Sequence, residues 1–222
     1  MSNELIPLDA LGGDLIVAQD AELLGDLSAG KGFLPYLQLF TLKSGAVAEG
    51  KIQGGHYGLI RDGNITDLGK EINLYLLAVR PRAFFKDGNN VSVVFDREDA
   101  EYKRIEGLQA NKVEGAMAGP EVLCWLPAEE SFCTFFCGSP TLKKESRNWG
   151  KYLGKEPLTL KAKLIDNGKH KWHGPVTVPH SGTLAPTPTP EEVTEELKKF
   201  KNPPKHTPGQ RVESGTKDEV AR

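Results

Sequence analysis

Asx-Gly turns and short apolar runs alternate along this chain, and a polypeptide punctuated that way folds mainly as strands. Turn chemistry stands at Asp62-Gly63-Asn64, at Asp87-Gly88-Asn89-Asn90 and at Asp166-Asn167-Gly168, the last two placed to close hairpins. Around them lie the runs 33–42, 56–60, 72–79, 91–95, 121–126, 132–137, 157–165 and 169–178. Within 157–165, Leu158, Leu160, Ala162 and Leu164 alternate with Thr159, Lys161 and Lys163. A strand of that pattern has one buried and one basic face.

Three helices interrupt the strands. Asp96 is placed to cap a helix with Tyr102, Ile105 and Leu108 on one side. Ser139-Pro140 reads as N-cap and first helical residue, followed by a stripe of Leu142, Ser146, Trp149 and Leu153, with Gly154 as the stop. Thr189-Pro190-Glu191-Glu192 is a capping box opening a helix with Val193, Leu197 and Phe200, which Pro203-Pro204 ends. The expected fold is mainly β with a few helices, an elaborated OB-fold-like barrel over residues 31–180; other small barrels and sandwiches fit the same pattern. Residues 1–30 form an acidic arm packed on that domain. Residues 181–222 form a Pro-rich linker, a short amphipathic helix and a disordered tail that adds little to the core.

The 222 residues suit one domain with appendages. No stretch approaches the roughly 18 apolar residues of a membrane span, and the opening Met-Ser-Asn-Glu lacks the basic region of a signal peptide. Cys124, Cys133 and Cys137 are too few for a disulfide scaffold. A soluble cytoplasmic protein is expected. Its net charge of −2 hides a segregation. Residues 1–30 carry six acids and no Lys or Arg, whereas residues 140–180 carry nine bases against three acids. Such asymmetry points either to a charged partner or to a solvated face balanced by the acidic arm.

Motifs for chemistry fail on inspection. Residues 25–32 come within one position of a phosphate-binding loop, but Gly32 stands where the Mg²⁺-binding hydroxyl belongs and Pro35 follows almost at once. Cys133, Cys137, His170 and His173 imitate a zinc set. In an extended strand, however, the two cysteines lie about 13 Å apart, beyond the reach of Zn–S bonds of about 2.3 Å. Neither a nucleophile elbow nor a zincin helix is present. The sequence therefore nominates no catalytic residue, metal or cofactor.

Basic residues interleaved with aromatics remain. Lys143, Lys144, Arg147, Lys151 and Tyr152 fall in the Ser139-capped segment, and Lys161, Lys163, Lys169, Lys171 and Trp172 in the hairpin after it. Arg80, Arg82 and Phe84 form another cluster. Single-stranded nucleic acid calls for this pairing, because cations track phosphates while aromatic faces stack unpaired bases. Against it, Trp149 and Phe84 also fit core positions, and lysines also serve solubility. Trp172, in a polar hairpin, is the better stacking residue.

Five stretches carry a resemblance: His56-Tyr57-Gly58-Leu59-Ile60, Asp67-Leu68-Gly69-Lys70, Gly119-Pro120-Glu121, Thr134-Phe135-Phe136-Cys137-Gly138-Ser139 and Lys171-Trp172-His173-Gly174-Pro175. Through them the chain resembles a group of tailed-phage replication-region proteins, some of which are single-stranded-DNA-binding proteins with an OB-like core. The resemblance implies a non-enzymatic, weakly sequence-selective single-stranded-DNA-binding protein in the host cytoplasm, meeting replication proteins through its C-terminal tail. One departure is the ending Lys217-Asp-Glu-Val-Ala-Arg222, which is balanced where such tails are often acidic. A phage assembly protein forming homo-oligomers and a metal-dependent nuclease are the alternatives.

Overall fold

The computed structural model of the chain describes residues 34–88 and 90–202. The acidic arm, the glycine-rich turn at 25–32 and everything after Asn202, Pro203-Pro204 included, lie outside the described residues. The strands are β1 (Tyr36–Leu39), β2 (Tyr57–Arg61), β3 (Asn64–Gly69), β4 (Glu71–Asp87), β5 (Asn90–Val94), β6 (Ala116–Leu126), β7 (Ser131–Phe136), β8 (Leu158–Asp166) and β9 (Lys171–Pro179). The helices are α1 (Gly45–Ala48), α2 (Ala100–Ala110), α3 (Pro140–Ser146) and α4 (Pro190–Lys201). The fold is mainly β with a few helices, as the punctuation predicts.

All nine strands join one sheet in the order β3-β2-β1-β7-β6-β4-β8-β9, with β5 also on β4. Neighbours pair antiparallel except β1 and β7, which run parallel. The order has two ends, so the expected OB-like barrel is not closed.

Local chemistry sets the turns. Asp62 and Gly63 both take positive φ, 49° and 77°, between paired Arg61 and Asn64. That is the two-residue hairpin whose twist matches its strands, so this turn closes a hairpin as well. Its second strand, β3, escapes sequence reading because Asn-Ile-Thr-Asp-Leu-Gly is largely exposed and has little apolar alternation. At the β8–β9 turn, Asp166 Oδ1 accepts from the Gly168 amide at 2.8 Å and Asn167 Oδ1 from the His170 amide at 2.7 Å.

Strands β4 and β6 run longer than their apolar runs suggest. Glu71–Leu74 pair with β8, Tyr75–Phe85 with β6, and Ala83–Asp87 with β5. Proline is normally excluded from such a position because it cannot donate to the ladder. Here Pro81 lies directly opposite Pro120, so neither is asked for an N–H across the pair. Their other edges fall where β8 and β7 give no paired partner.

One side of the sheet holds the main core. Leu37, Leu59, Leu74, Leu76, Cys124, Cys133, Phe135, Leu158 and Leu160 meet there with Trp149 and Tyr152. Trp149, 1% exposed, stacks on Phe135 at 5.9 Å between ring centroids, and its indole N–H donates to Thr177 Oγ1 at 2.7 Å. It is supplied by a 3₁₀ turn, Arg147–Trp149, that continues α3. Ser139 caps α3 with Pro140 at its first position, as expected; the helical stripe expected to run to Gly154 instead ends at Trp149, and turns lead on to Gly154 at φ 66°. Helix α2 is capped by Asp99 instead of Asp96. Asp99 accepts from the Glu101 amide at 2.7 Å, while Asp96 holds the Glu98 amide at 2.9 Å in the preceding turn.

The segment from Ser181 is attached more closely than its proline content suggests. The Trp125 indole donates to the Pro186 carbonyl at 2.9 Å, and the Tyr75 hydroxyl accepts from the Leu184 amide at 3.0 Å. The capping box forms at Thr189 and Glu192. Helix α4 then buries Phe200 to 2% exposure against Ala78 and Leu123, with Leu34, Leu77 and Leu197 around it. Truncating a buried Phe costs about 3–5 kcal/mol, so this helix contributes to the core.

Candidate functional site

A groove of about 350 Å³ lies between the end of β1 and β9. Leu39, Thr41, Leu42 and Lys43 supply one wall from the end of β1 and the following turn. The start of α3 forms the floor with Thr141 and Leu142, and the β8–β9 hairpin the other wall with Lys169, His170, Lys171, Trp172, His173 and Pro175. Because the groove follows the free edge of β9, consecutive residues that point to opposite faces both reach it.

Close backbone approach fixes this shape. A Cβ on Gly174 would come within 2.7 Å of both Ile165 Cδ1 and Thr141 Cγ2, so α3 lies flush on β9 there. That contact lets the Trp172 indole donate to Thr141 Oγ1 at 3.2 Å. One helical turn beyond Thr141, Glu145 Oε1 accepts from the Thr177 amide at 2.7 Å and ties α3 to the strand edge. His173 leans on Gly55, where a Cβ would meet its ring at 2.6 Å.

Apolar side chains dominate the interior of the groove, and its rim is cationic. Leu42 is 56% exposed, the largest exposure among the described large apolar residues. Lys43, Lys169 and Lys171 are exposed around it, with Lys171 paired to Asp166 at 3.0 Å. Trp172 is half-buried, less open than its polar flanks suggest. Two buried polar atoms on the lining residues, Thr41 Oγ1 and His173 Nδ1, have no hydrogen-bond partner among the described residues. Burial, reinforced by Lys70 and His56, holds the His173 imidazole below its ordinary pKa and so favours its neutral form.

The sequence candidates divide sharply around this groove. Lys169, Lys171 and Trp172 belong to it. Lys161 and Lys163 are exposed on β8, in register with Val176 and Gly174, and share the hairpin face of Trp172. Lys161 pairs with Glu71 at 2.9 Å. Lys144, Arg147 and Lys151 are exposed on and after α3, where Arg147 and Lys151 border a second, shallower depression beside Thr177.

Five candidates leave the surface. Lys143 turns inward, its Nζ donating to Gln109 Oε1 at 2.8 Å, and burial lowers its pKa. Tyr152 is packed in the main core. Phe84, fully buried, packs with Tyr36, Phe40, Ile60 and Phe136.

Arg80 and Arg82 are held by Glu121, which stands opposite Arg80 across the β4–β6 pair. Arg80 Nε donates to Glu121 Oε2 at 2.7 Å and Arg82 Nη1 to Oε1 at 2.5 Å. The Arg80 guanidinium lies between the rings of Phe95 and Phe200, 3.9 and 4.2 Å from their centroids, and donates to the Phe200 carbonyl. Burial alone would raise the Glu121 carboxyl; the two guanidiniums outweigh it and hold it below the usual carboxylate range. This cluster is an internal ion network with no face for a phosphate or a base.

No protein-family model, curated protein or solved structure matches this chain.

Sequence reasoning missed Thr41, Leu42 and Lys43, because Leu42 reads as the end of an apolar strand run and nothing local marks it as exposed. Among the described residues no three His, Cys, Asp or Glu side chains converge as a metal site requires, and the three cysteines are free and buried. No helix among the described residues is long and apolar enough to cross a membrane.

Proposed function

We propose that the protein binds single-stranded nucleic acid, DNA first of all, along the β8–β9 hairpin and the groove beside it, without catalysing a reaction on it. One observation carries this reading. The exposed cations Lys43, Lys169 and Lys171 border an apolar groove that half-buried Trp172 also lines. Cations beside an accessible aromatic face are what a strand with unpaired bases needs, since its phosphates and its bases must be met together. A duplex offers the phosphates alone, with its bases stacked inside, and gains only the electrostatic part. Lys161 and Lys163 extend the cationic track on the same face of the hairpin. The role fits replication or recombination in a phage-infected cell, with replication proteins as further partners.

Fluorescence anisotropy with labelled single-stranded and duplex oligonucleotides of one sequence tests the proposal. Tighter binding of the single strand supports it. Equal affinity for duplex would reduce the surface to a general polyanion site, and no binding at low ionic strength would overturn it in favour of an assembly role.

A further inference from the structure

We infer that the groove between β1 and β9 is a pocket for one nucleobase, with the adjoining phosphate on the rim lysines; this rests on the nucleic-acid reading above and gives it a specific seat. The volume of about 350 Å³ lies at the small end of the roughly 300–1,000 Å³ usual for ligand pockets. It suits one flat ring with its sugar and not a stack of several. Leu42 and Trp172 supply apolar surface for the faces of such a ring, and Lys43, Lys169 and Lys171 stand outside it for the phosphate.

The edge of the ring is the decisive part. Buried polar atoms are nearly always hydrogen-bonded, and each exception asks for an explanation. Thr41 Oγ1 and His173 Nδ1 are two such exceptions, and both residues line this groove. An acyl chain or an aliphatic side chain entering here would leave both atoms unsatisfied. A nucleobase brings donors and acceptors on its edge. A hydroxyl either donates or accepts, and a neutral imidazole nitrogen does either according to tautomer. Such a pair accommodates any of the bases, and weak sequence selectivity follows.

The ligand chemistry, a heteroaromatic base joined to a phosphate, comes either from a strand or from a free nucleotide. The experiment therefore uses the full chain with three probes: a labelled thymidine oligonucleotide, the same oligonucleotide made abasic, and thymidine monophosphate titrated to millimolar concentration against tryptophan fluorescence. Leu42→Asp places a charge at the mouth of the groove on an exposed residue, and Thr41→Val removes one orphan hydroxyl at nearly constant volume. Lys163→Glu alters the cationic track outside the groove.

The abasic strand and the Leu42→Asp protein should each lose about tenfold in strand affinity. Thr41→Val should lose several-fold, and Lys163→Glu should weaken the strand while leaving the mononucleotide unchanged. If Leu42→Asp lowers the melting temperature sharply, Thr41→Val and the abasic strand decide. Undiminished binding of the abasic strand, or indifference to both groove substitutions, overturns the base pocket and leaves strand binding by the hairpin standing. Saturable mononucleotide binding that a strand does not displace keeps the pocket and removes the single-strand reading. Binding of none of the probes overturns both.

Discussion

Two clusters of this chain follow the same pattern of residue types and meet opposite fates. Arg80-Pro-Arg82-Ala-Phe84-Phe85-Lys86 and Lys169-His-Lys171-Trp172-His173 both interleave cations with aromatics. The first is interior: Arg82 is 6% exposed and Phe84 fully buried. The second stands at the edge of the sheet with both lysines in solvent. A single acid makes the difference. Glu121 lies in register opposite Arg80 and takes both guanidiniums, whereas Lys171 of the hairpin pairs with an exposed carboxylate, Asp166. A buried carboxylate in register turns a basic cluster into a structural fastening, and its absence leaves the cations for a partner.

The largest effect should come from breaking the interior cluster. Glu121→Ala leaves two buried guanidiniums without their acid, and removing one partner of a buried network costs about 3–5 kcal/mol. Denaturant unfolding reads this directly; a variant as stable as the parent would mean that the cluster holds nothing together. The same carboxyl gives a pH signature. Its folded pKa is depressed, so its contribution is complete above the ordinary carboxylate range and is lost as pH falls through and below it. Stability should drop in that acid window in the parent and less so in Glu121→Gln.

A somewhat smaller loss, about 3 kcal/mol, is expected for Phe200→Ala, which removes both a buried ring and one face of the Arg80 sandwich. Removing residues 182–222 should then lower the melting temperature and expose apolar surface. A truncated protein melting like the full chain would show that α4 is only an appendage.

Trp172→Ala should leave the interior cluster untouched and act on the hairpin. Strand affinity should weaken by about 1–3 kcal/mol. Loss of the Thr141 hydrogen bond should cost only about 1 kcal/mol of stability. Unfolding without a binding effect would place Trp172 with the core residues. Lys163→Glu should have the smallest effect, a loss of affinity confined to low salt with no change in melting.

Much of the fold was legible because its determinants are local. The Asp166-Asn167-Gly168 turn, the Ser139-Pro140 cap and the Thr189–Glu192 box each depend on residues within a few positions of one another. What escaped depends on register between distant segments. Glu121 is 41 residues from Arg80, and no local pattern says that the two will face each other. Likewise the groove is assembled from the end of β1 and from β9, so Thr41, Leu42 and Lys43 could not be joined to the hairpin residues Lys169, Lys171 and Trp172 from spacing alone. Strand β3 escaped for another reason. It is an exposed edge strand, and exposed strands need no apolar alternation.

The salt dependence of single-strand affinity, compared between the parent and a Lys169→Glu, Lys171→Glu double variant, separates a working hairpin from a merely solvated one. Each neutralised phosphate contributes roughly −0.7 to the slope of log affinity against log salt. The parent should show a steep slope, and the double variant a slope shallower by about 1.4 with an unchanged melting temperature. A flat response in the parent, or one identical in the two proteins, would contradict nucleic-acid binding by this hairpin.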